Sequence, residues 1–339
     1  MSDIFLQLPA ADRREALGVA ATKSGRPMHL LEKDIWVVWT LDVLFGAPFA
    51  NKLVFKGGTS LSKAYGVIRR FSEDIDVTYD IRAVAPDLVG DAPEALPPTR
   101  SQEKRWTSEI RARLSEWVSH DVLPLITDAL SKQGLPAHAS AENDKLYVRY
   151  EPLATGSGYV RPAIIVEFGA RSTGEPYEIR PVSCDAAKYL AGIVFPTAKP
   201  RVMRAERTFW EKATAIHVFC AQGEFRGGER FARHWYDVAK LDEAGFADAA
   251  IADRELANAV ARHKAIFFAE KDTRGAKIDY PAAVAGSLQL VPTGTALATL
   301  SNDYARMIED GLLFDEAETF ERVLDRCRTI QEKANRLDR

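Results

Sequence analysis

The sequence predicts an α+β protein, and three observations carry that prediction. Residues 52–183 hold about four to five short stretches with the composition and alternation of strands. From Val202 onward the apolar spacing is helical almost throughout. Between the two regions "FPTAKP", Phe195 to Pro200, places two prolines and a threonine where the chain changes character. A sheet-containing domain over 1–200, with helices at its N-terminus, is therefore expected to precede a helical domain over 201–339.

In chain order, Ala10–Ala21 reads as a short amphipathic helix, and Leu30–Leu44 repeats apolar residues at three and four positions. Lys52–Phe55 reads as a strand running into Gly57 and Gly58, Ser60–Arg70 as a helix, and Ile75–Tyr79 as an alternating strand. "AVAPDLVGDAPEALPPTR", residues 83–100, is rich in Ala, Pro, Gly and acids and reads as a long exposed connection. A helical period returns over Gln102–Lys132, and "KLYVRYE" from Lys145, "PAIIVEFGA" from Pro162 and "YEIRPVS" from Tyr177 supply the remaining strands. The clearest C-terminal helices are "RVMRAERTFWEKATAIHVF", "ERFARHWYDVAKLDEAG" and "FERVLDRCRTIQEKANRL". Nothing repeats at a fixed period.

The bulk composition narrows the function. At 339 residues with 46% hydrophobic side chains the chain belongs among folded globular proteins. Forty-five Lys plus Arg against 48 Asp plus Glu leave a net charge of -3 and a pI near 6.1, so no global positive field advertises a nucleic-acid partner. Three widely separated cysteines fit a reducing cytoplasm and argue against a disulfide framework. The N-terminus carries acids, and the longest apolar run, near "IWVVWTLDVLF", is broken by Asp42, so neither export nor a membrane span is expected. No H-E-x-x-H pair, G-x-S-x-G elbow, P-loop or G-x-G-x-x-G turn occurs, which removes the main support for catalytic zinc, serine hydrolase, P-loop NTPase and dinucleotide-binding readings.

The chemistry concentrates in "VFKGGTSLSKAYGVIRRFSEDIDVTYD", Val54 to Asp80. Side chains alternate along a strand, so Asp74 and Asp76 project to one face and Ile75 and Val77 to the other. Two such carboxylates can share one hard cation, Mg²⁺ above all, held jointly with substrate phosphates. Gly57 and Gly58 let backbone amides approach an anion, and Thr59 and Ser60 add hydroxyls at a helix start. A nucleoside triphosphate would satisfy both halves, although a D-x-D pair also fits a solvated strand edge. Glu167, set in the apolar "AIIVEFGA", reads either as a salt-bridge partner of Arg171 or as a third metal carboxylate or base. In "RTFWEKATAIH", Lys212 shares a helical face with Phe209, Ala215, Ile216 and Phe219, which suits a phosphate clamp or a snorkelling lysine. In "RFARHWYDVAKL", Asp237 can steer Lys212 or His234, or pair with Arg233.

These residues resemble the AbiEii/AbiGii toxin family of nucleotidyltransferases. "FKGGTSLSKAYGVIRRFSEDIDV" is similar to the family's G-G-T-[SA]-L turn followed by F-S-x-D-[IL]-D. "RTFWEKATAIH" is similar to its lysine motif, "RHWYDVAKL" to its R-[HD]-x-Y-D-[LIV] motif, and "LEKDIWVVWTLDVLF" to its N-terminal helix. The resemblance implies a polymerase-β-like nucleotidyltransferase core with a helical C-terminal region that completes the active site. It implies an NTP as substrate, Mg²⁺ (or Mn²⁺) as cofactor and an antitoxin encoded nearby, in a toxin–antitoxin or phage-abortive-infection system. Some members add nucleotides to the tRNA 3′ end and block translation. Carried over, Lys56, Gly57, Gly58, Thr59, Ser60 and Ser72 would bind the nucleotide with Lys212, Asp74 and Asp76 would hold the metal with Glu167 as a third carboxylate, and Asp237 would be the fourth motif's acid. Transfer to a protein side chain and a non-catalytic nucleotide-binding module are the rival readings. Basic clusters at "RARLSEW", "KPRVMRAER", "RGGERFARH" and "ARHKAIFFAEKDTRG" read either as an RNA acceptor surface or as solvated helix faces.

Overall fold

The structure, a computed structural model, describes residues 3–154, 161–223, 230–314 and 318–336. By its internal contacts the chain forms two compact units. The first comprises Met1–Tyr65, Phe71–Asp91 and Arg105–Met203, and the second Gly66–Arg70, Ala92–Lys104 and Arg204–Arg339.

The first unit is built on one mixed sheet. Its strands are β1 (Leu53–Lys56), β2 (Asp74–Tyr79), β3 (Ala137–Glu142), β4 (Lys145–Tyr150), β5 (Ala163–Gly169), β6 (Tyr177–Ile179) and β7 (Arg201–Met203). They lie in the order β3-β4-β5-β2-β1-β7-β6. β2 pairs parallel with β5 and β1 parallel with β7, and the other neighbours are antiparallel. The α+β class holds. Seven strands replace the expected four to five because β3 and β7 carry little strand signal. β3 reads "AHASAE", without β-branched or aromatic residues, and is secured by a tight turn at Asn143 (φ 54°) onto β4. β7 is three residues at the front of a long helical pattern.

Helices α1 (Ala10–Ser24), α2 (Met28–Phe45), α3 (Gly57–Lys63), α4 (Arg100–Trp117) and α5 (Leu123–Lys132) accompany the strands. One face of the sheet presents Ile75, Val77, Leu146, Val148, Ile164 and Val166, none exposed to solvent, each contributing about 1.5–3 kcal/mol by burial. On that face Trp36 of α2 stacks on Tyr150 at 5.2 Å, and Trp117 of α4 meets Phe168 edge-on at 5.3 Å. α3 is shorter than the helix expected over Ser60–Arg70, because Gly66 turns to φ 65° and 66–70 joins the second unit. Residues 83–100 also differ from an exposed connection: short helical turns bury Val84, Ala85, Val89 and Ala95.

α2 buries three charged residues in succession, and each is answered. Both Glu32 carboxylate oxygens accept the Leu153 N–H at 3.0 Å. Lys33 donates to Glu73 (2.8 Å) and to the Arg161 carbonyl (3.0 Å). Asp34 pairs with Lys63 (2.5 Å) and accepts the Asp185 N–H (2.6 Å), while Lys63 and Arg26 both reach Asp185. The "EKD" of the N-terminal helix thus fastens α2 to the end of α3 and to the residue before Asp74.

The second unit contains α6 (Ala205–Gln222), α7 (Ala232–Glu243), α8 (Phe246–Ala252), α9 (Arg254–Phe267), α10 (Gly294–Glu309) and α11 (Phe320–Arg336). α6 is buried on most sides, and its Trp210 donates to the Ala250 carbonyl of α8 at 2.8 Å. Trp235 of α7 donates to the Leu290 carbonyl at 2.8 Å. Among the described residues no helix is long and apolar enough to cross a membrane.

Burial raises the Glu32 carboxyl to about 7, against the lowering effect of the Leu153 and Ala154 amides. Its folded value lies above its unfolded one, so the folded state binds the extra proton between the two and loses stability as pH rises through 7. Glu32→Gln, which needs no proton, is expected to raise Tm by about 2–4 °C at pH 8 and to leave it unchanged at pH 4. An equal shift at both pH values in a thermal melt contradicts this.

Candidate active site

β1 delivers the chain into the glycine turn. Gly57 sits at φ 77°, where an L side chain is strained, and an added Cβ would come within 2.9 Å of the Asp76 Cγ and closer still to its Oδ2. The turn's backbone and the second carboxylate of the D-x-D strand therefore touch, and only glycine permits it. Gly58 follows in the first turn of α3. The hydroxyls of Thr59 and Ser60 are buried: Ser60 donates to the Gly57 carbonyl (2.9 Å), and Thr59 donates to the Asp74 carbonyl (2.5 Å) and lies 2.9 Å from Ser72 Oγ. Ser60 closes the turn on itself, while Thr59 ties it to β2 and to Ser72 just before it. They set its shape, and backbone groups are what the turn offers a ligand.

The sheet register adds the third acid. Asp76 stands opposite Glu167 across the parallel β2–β5 pair, and Asp74 opposite Ile165. Lys56 pairs in register with Asp76, and Lys145 with Glu167. One row across four strands thus reads Lys56, Asp76, Glu167, Lys145, two adjacent anions between two cations, on the face opposite the apolar core. Lys145 Nζ lies 2.5 Å from Glu167 Oε1, both side chains being about two-fifths exposed. Glu167 is therefore engaged by Lys145, a partner that sits 22 residues away and is visible only through the register.

The donor set bears on which metal suits the site. Among the described residues no group of three or more His, Cys, Asp or Glu side chains is gathered to hold a metal alone. Asp74 and Asp76 on one face, next to a glycine turn whose backbone an anion can approach, match a metal that takes one or two protein carboxylates and completes its shell with substrate phosphates and water. Mg²⁺ is commonly bound in this way, whereas a dedicated protein cage is a different design.

In the second unit, Asp237 on α7 has no exposed surface and receives two cations. Arg70 forks onto it with Nε 2.7 Å from Oδ1 and Nη2 2.8 Å from Oδ2, and Lys212 Nζ of α6 lies 2.9 Å from the same Oδ2. Burial alone would raise the Asp237 carboxyl, and the Arg70 and Lys212 charges override it, holding it well below the ordinary carboxylate range. Asp237 steers Lys212, and its second partner is Arg70 instead of Arg233. Sequence reasoning passed over Arg70, although a carboxylate with no solvent contact calls for a second cation and "RRFS" supplied one. Burial, aided by the Lys212 charge, pushes the His234 imidazole well below its usual pKa, and its Nδ1 has no hydrogen-bond partner among the described residues.

A family model described as the nucleotidyl transferase AbiEii toxin of a type IV TA system matches residues 42–326. The chain belongs to the AbiEii family. It is thereby a nucleotidyltransferase of the toxin–antitoxin class, with an NTP and a divalent metal as the family's requirements and an antitoxin as the partner it implies. The AbiEii match reaches from the end of α2 into α11 and includes the glycine turn, the D-x-D strand, Lys212 and Asp237. Among solved structures, MenT4, a nucleotidyltransferase toxin from Mycobacterium tuberculosis, is 17% identical, with 95% of this chain and 99% of that chain covered and a TM-score of 0.39. A proposed nucleotidyltransferase from H. pylori is 14% identical, with 92% and 97% covered and a TM-score of 0.41. No curated protein sequence matches the chain.

Three substitutions separate the site's geometry from the fold. Gly57→Ala is expected to lower transferase activity by at least about 100-fold, because it displaces Asp76 or the turn, while the far-UV circular dichroism is kept. Arg70→Met leaves Asp237 short of a cation and is expected to cost about 3–5 kcal/mol in urea unfolding. Glu167→Gln, at an exposed pair, is expected to cost no more than about 1 kcal/mol. Equal costs for the last two would contradict the burial argument.

Proposed function

We propose that the protein transfers a nucleoside monophosphate from an NTP to an RNA hydroxyl, with Mg²⁺ as the metal and the tRNA 3′ end as acceptor. The observation that carries this reading is the contact between the Asp76 carboxylate and the Gly57 backbone, which joins a carboxylate pair to an anion-accepting turn. Asp74 and Asp76 would hold the metal, whose contribution when bound is to neutralise charge on the phosphates. The Gly57–Gly58 turn, shaped by Thr59, Ser60 and Ser72, holds the triphosphate, with Lys56 at its entry. Lys212, steadied by Asp237, is the phosphate-binding cation. Glu167 takes the proton of the acceptor hydroxyl once Lys145 yields it. The acceptor oxygen forms a bond to the α-phosphorus, the bond to the bridging oxygen breaks, and pyrophosphate leaves. A tRNA so extended cannot be aminoacylated, and translation stops.

The test is incubation of the purified protein with Mg²⁺, each α-labelled NTP in turn and total tRNA. Label is expected on RNA, sensitive to ribonuclease, and reduced at least about 100-fold by Asp76→Asn. Label that resists ribonuclease and follows protein would replace the RNA acceptor with a protein side chain. No transfer from any of the four nucleotides overturns the RNA reading.

A further inference from the structure

We propose that the helix end and hairpin over 263–277 form a contact surface for the single-stranded end of an RNA, an inference that rests on the RNA-acceptor reading above. Residues 263–277 hold four cations, Lys264, Lys271, Arg274 and Lys277, against two carboxylates, in a chain of net charge -3. In the other basic clusters three of the cations are answered by acids. Arg113 is held by Asp87 and Glu109, Arg204 by Glu206 and Arg207 by Glu211, while residues 226–229 of "RGGERFARH" lie outside the described residues.

The hairpin is a built element. Asp272 N–H donates to the Ala276 carbonyl (2.9 Å) and Ile278 N–H to the Glu270 carbonyl (3.0 Å), and Lys271 faces Lys277 across the bridge. Asp272 Oδ1 accepts the backbone N–H groups of Arg274 (2.9 Å) and Ala276 (2.8 Å). Arg274 stands at the tip with its side chain 86% exposed, its guanidinium 3.3 Å from Asp272 Oδ2 in a solvent-screened pair. Two lysines opposite each other on a hairpin repel and weaken it. A polyanion lying across them converts that repulsion into binding.

Beside the hairpin stands Phe268, 37% exposed, an aromatic ring in water at the end of α9. Its backbone is fixed at both ends, the N–H donating to the Lys264 carbonyl (2.9 Å) and the carbonyl accepting the Tyr280 hydroxyl (2.6 Å). Lys264 Nζ lies 4.6 Å from its ring centroid and the His263 ring 5.8 Å away. A rigidly held ring bordered by a lysine is the combination that stacks an unpaired base while its phosphates are neutralised. Base faces are available only in unstacked RNA, so the surface fits a single-stranded end and gives a continuous duplex no stacking partner.

Fluorescence anisotropy, without NTP, of 5′-labelled deacylated tRNA and of a blunt RNA duplex tests the surface. Lys271→Gln with Lys277→Gln is expected to weaken tRNA binding about 10-fold and to shallow the log K against log salt slope by about one to two, with Tm equal to or above wild type. Phe268→Ala is expected to weaken tRNA binding and leave duplex binding unchanged. Unchanged tRNA affinity in both variants overturns the proposal, as does a wild type that binds no tRNA or a surface that holds only an acidic protein. If label goes to RNA while both variants bind normally, this surface fails and the acceptor reading stands. If tRNA binding is lost in the variants while the wild type labels only protein, the surface stands and the acceptor reading fails.

Discussion

The approach of the Asp76 carboxylate to the backbone of Gly57 ties together the rest of the first unit. A turn that could cradle phosphates and a strand that could hold a cation are each common. Their chemistry differs when the carboxylate lies against the turn, because one charged ligand then spans both. The contact needs a residue with φ near 77° and no Cβ, which is why position 57 is glycine. It also needs β2 held in place at both its start and its flank. Thr59 bonds the Asp74 carbonyl at the start, and the β5 register supplies the flank.

Polar groups buried away from the reacting centre do much of this holding. Lys33 on α2, with almost no solvent contact, reaches Glu73, one residue before Asp74. Asp34, Lys63 and Asp185 tie the far end of α3 to the same helix. The second unit repeats the device, with Asp237 gripping Arg70 and Lys212 at once. Such ion pairs are poor sources of net stability, since desolvation opposes the attraction, but removing one partner is costly. Their use is geometric: they leave few alternative positions for the ammonium of Lys212 and for the first residue of β2.

How much of this the sequence revealed follows from which forces act locally. Strand alternation put Asp74 and Asp76 on one face, and the fully buried Ile75 and Val77 occupy the other. The amphipathic period gave α1, α2, α6 and α7 within a few residues. "AHASAE" escaped because an edge strand of alanines is defined by its hairpin partner and not by its own propensity. Ser60–Arg70 read as one helix because its apolar spacing permits it, yet a glycine and a tertiary bridge from Arg70 to Leu313 end it early. Lys145 and Arg70 were invisible for the same reason: pairing at 22 and 167 residues' separation is written in register and packing. The family motifs pointed to Asp74, Asp76, Lys212 and Asp237 without disclosing what each one touches.

The measurement that bears most directly on the carboxylate–turn account is anomalous diffraction from crystals grown with Mn²⁺ and a non-hydrolysable NTP. The account predicts a manganese peak within coordination distance of both Asp74 and Asp76, with triphosphate oxygens completing its shell and the Gly57–Gly58 backbone against the phosphates. A nucleotide bound with its metal on other carboxylates, or a triphosphate lying away from the glycine turn, would contradict it.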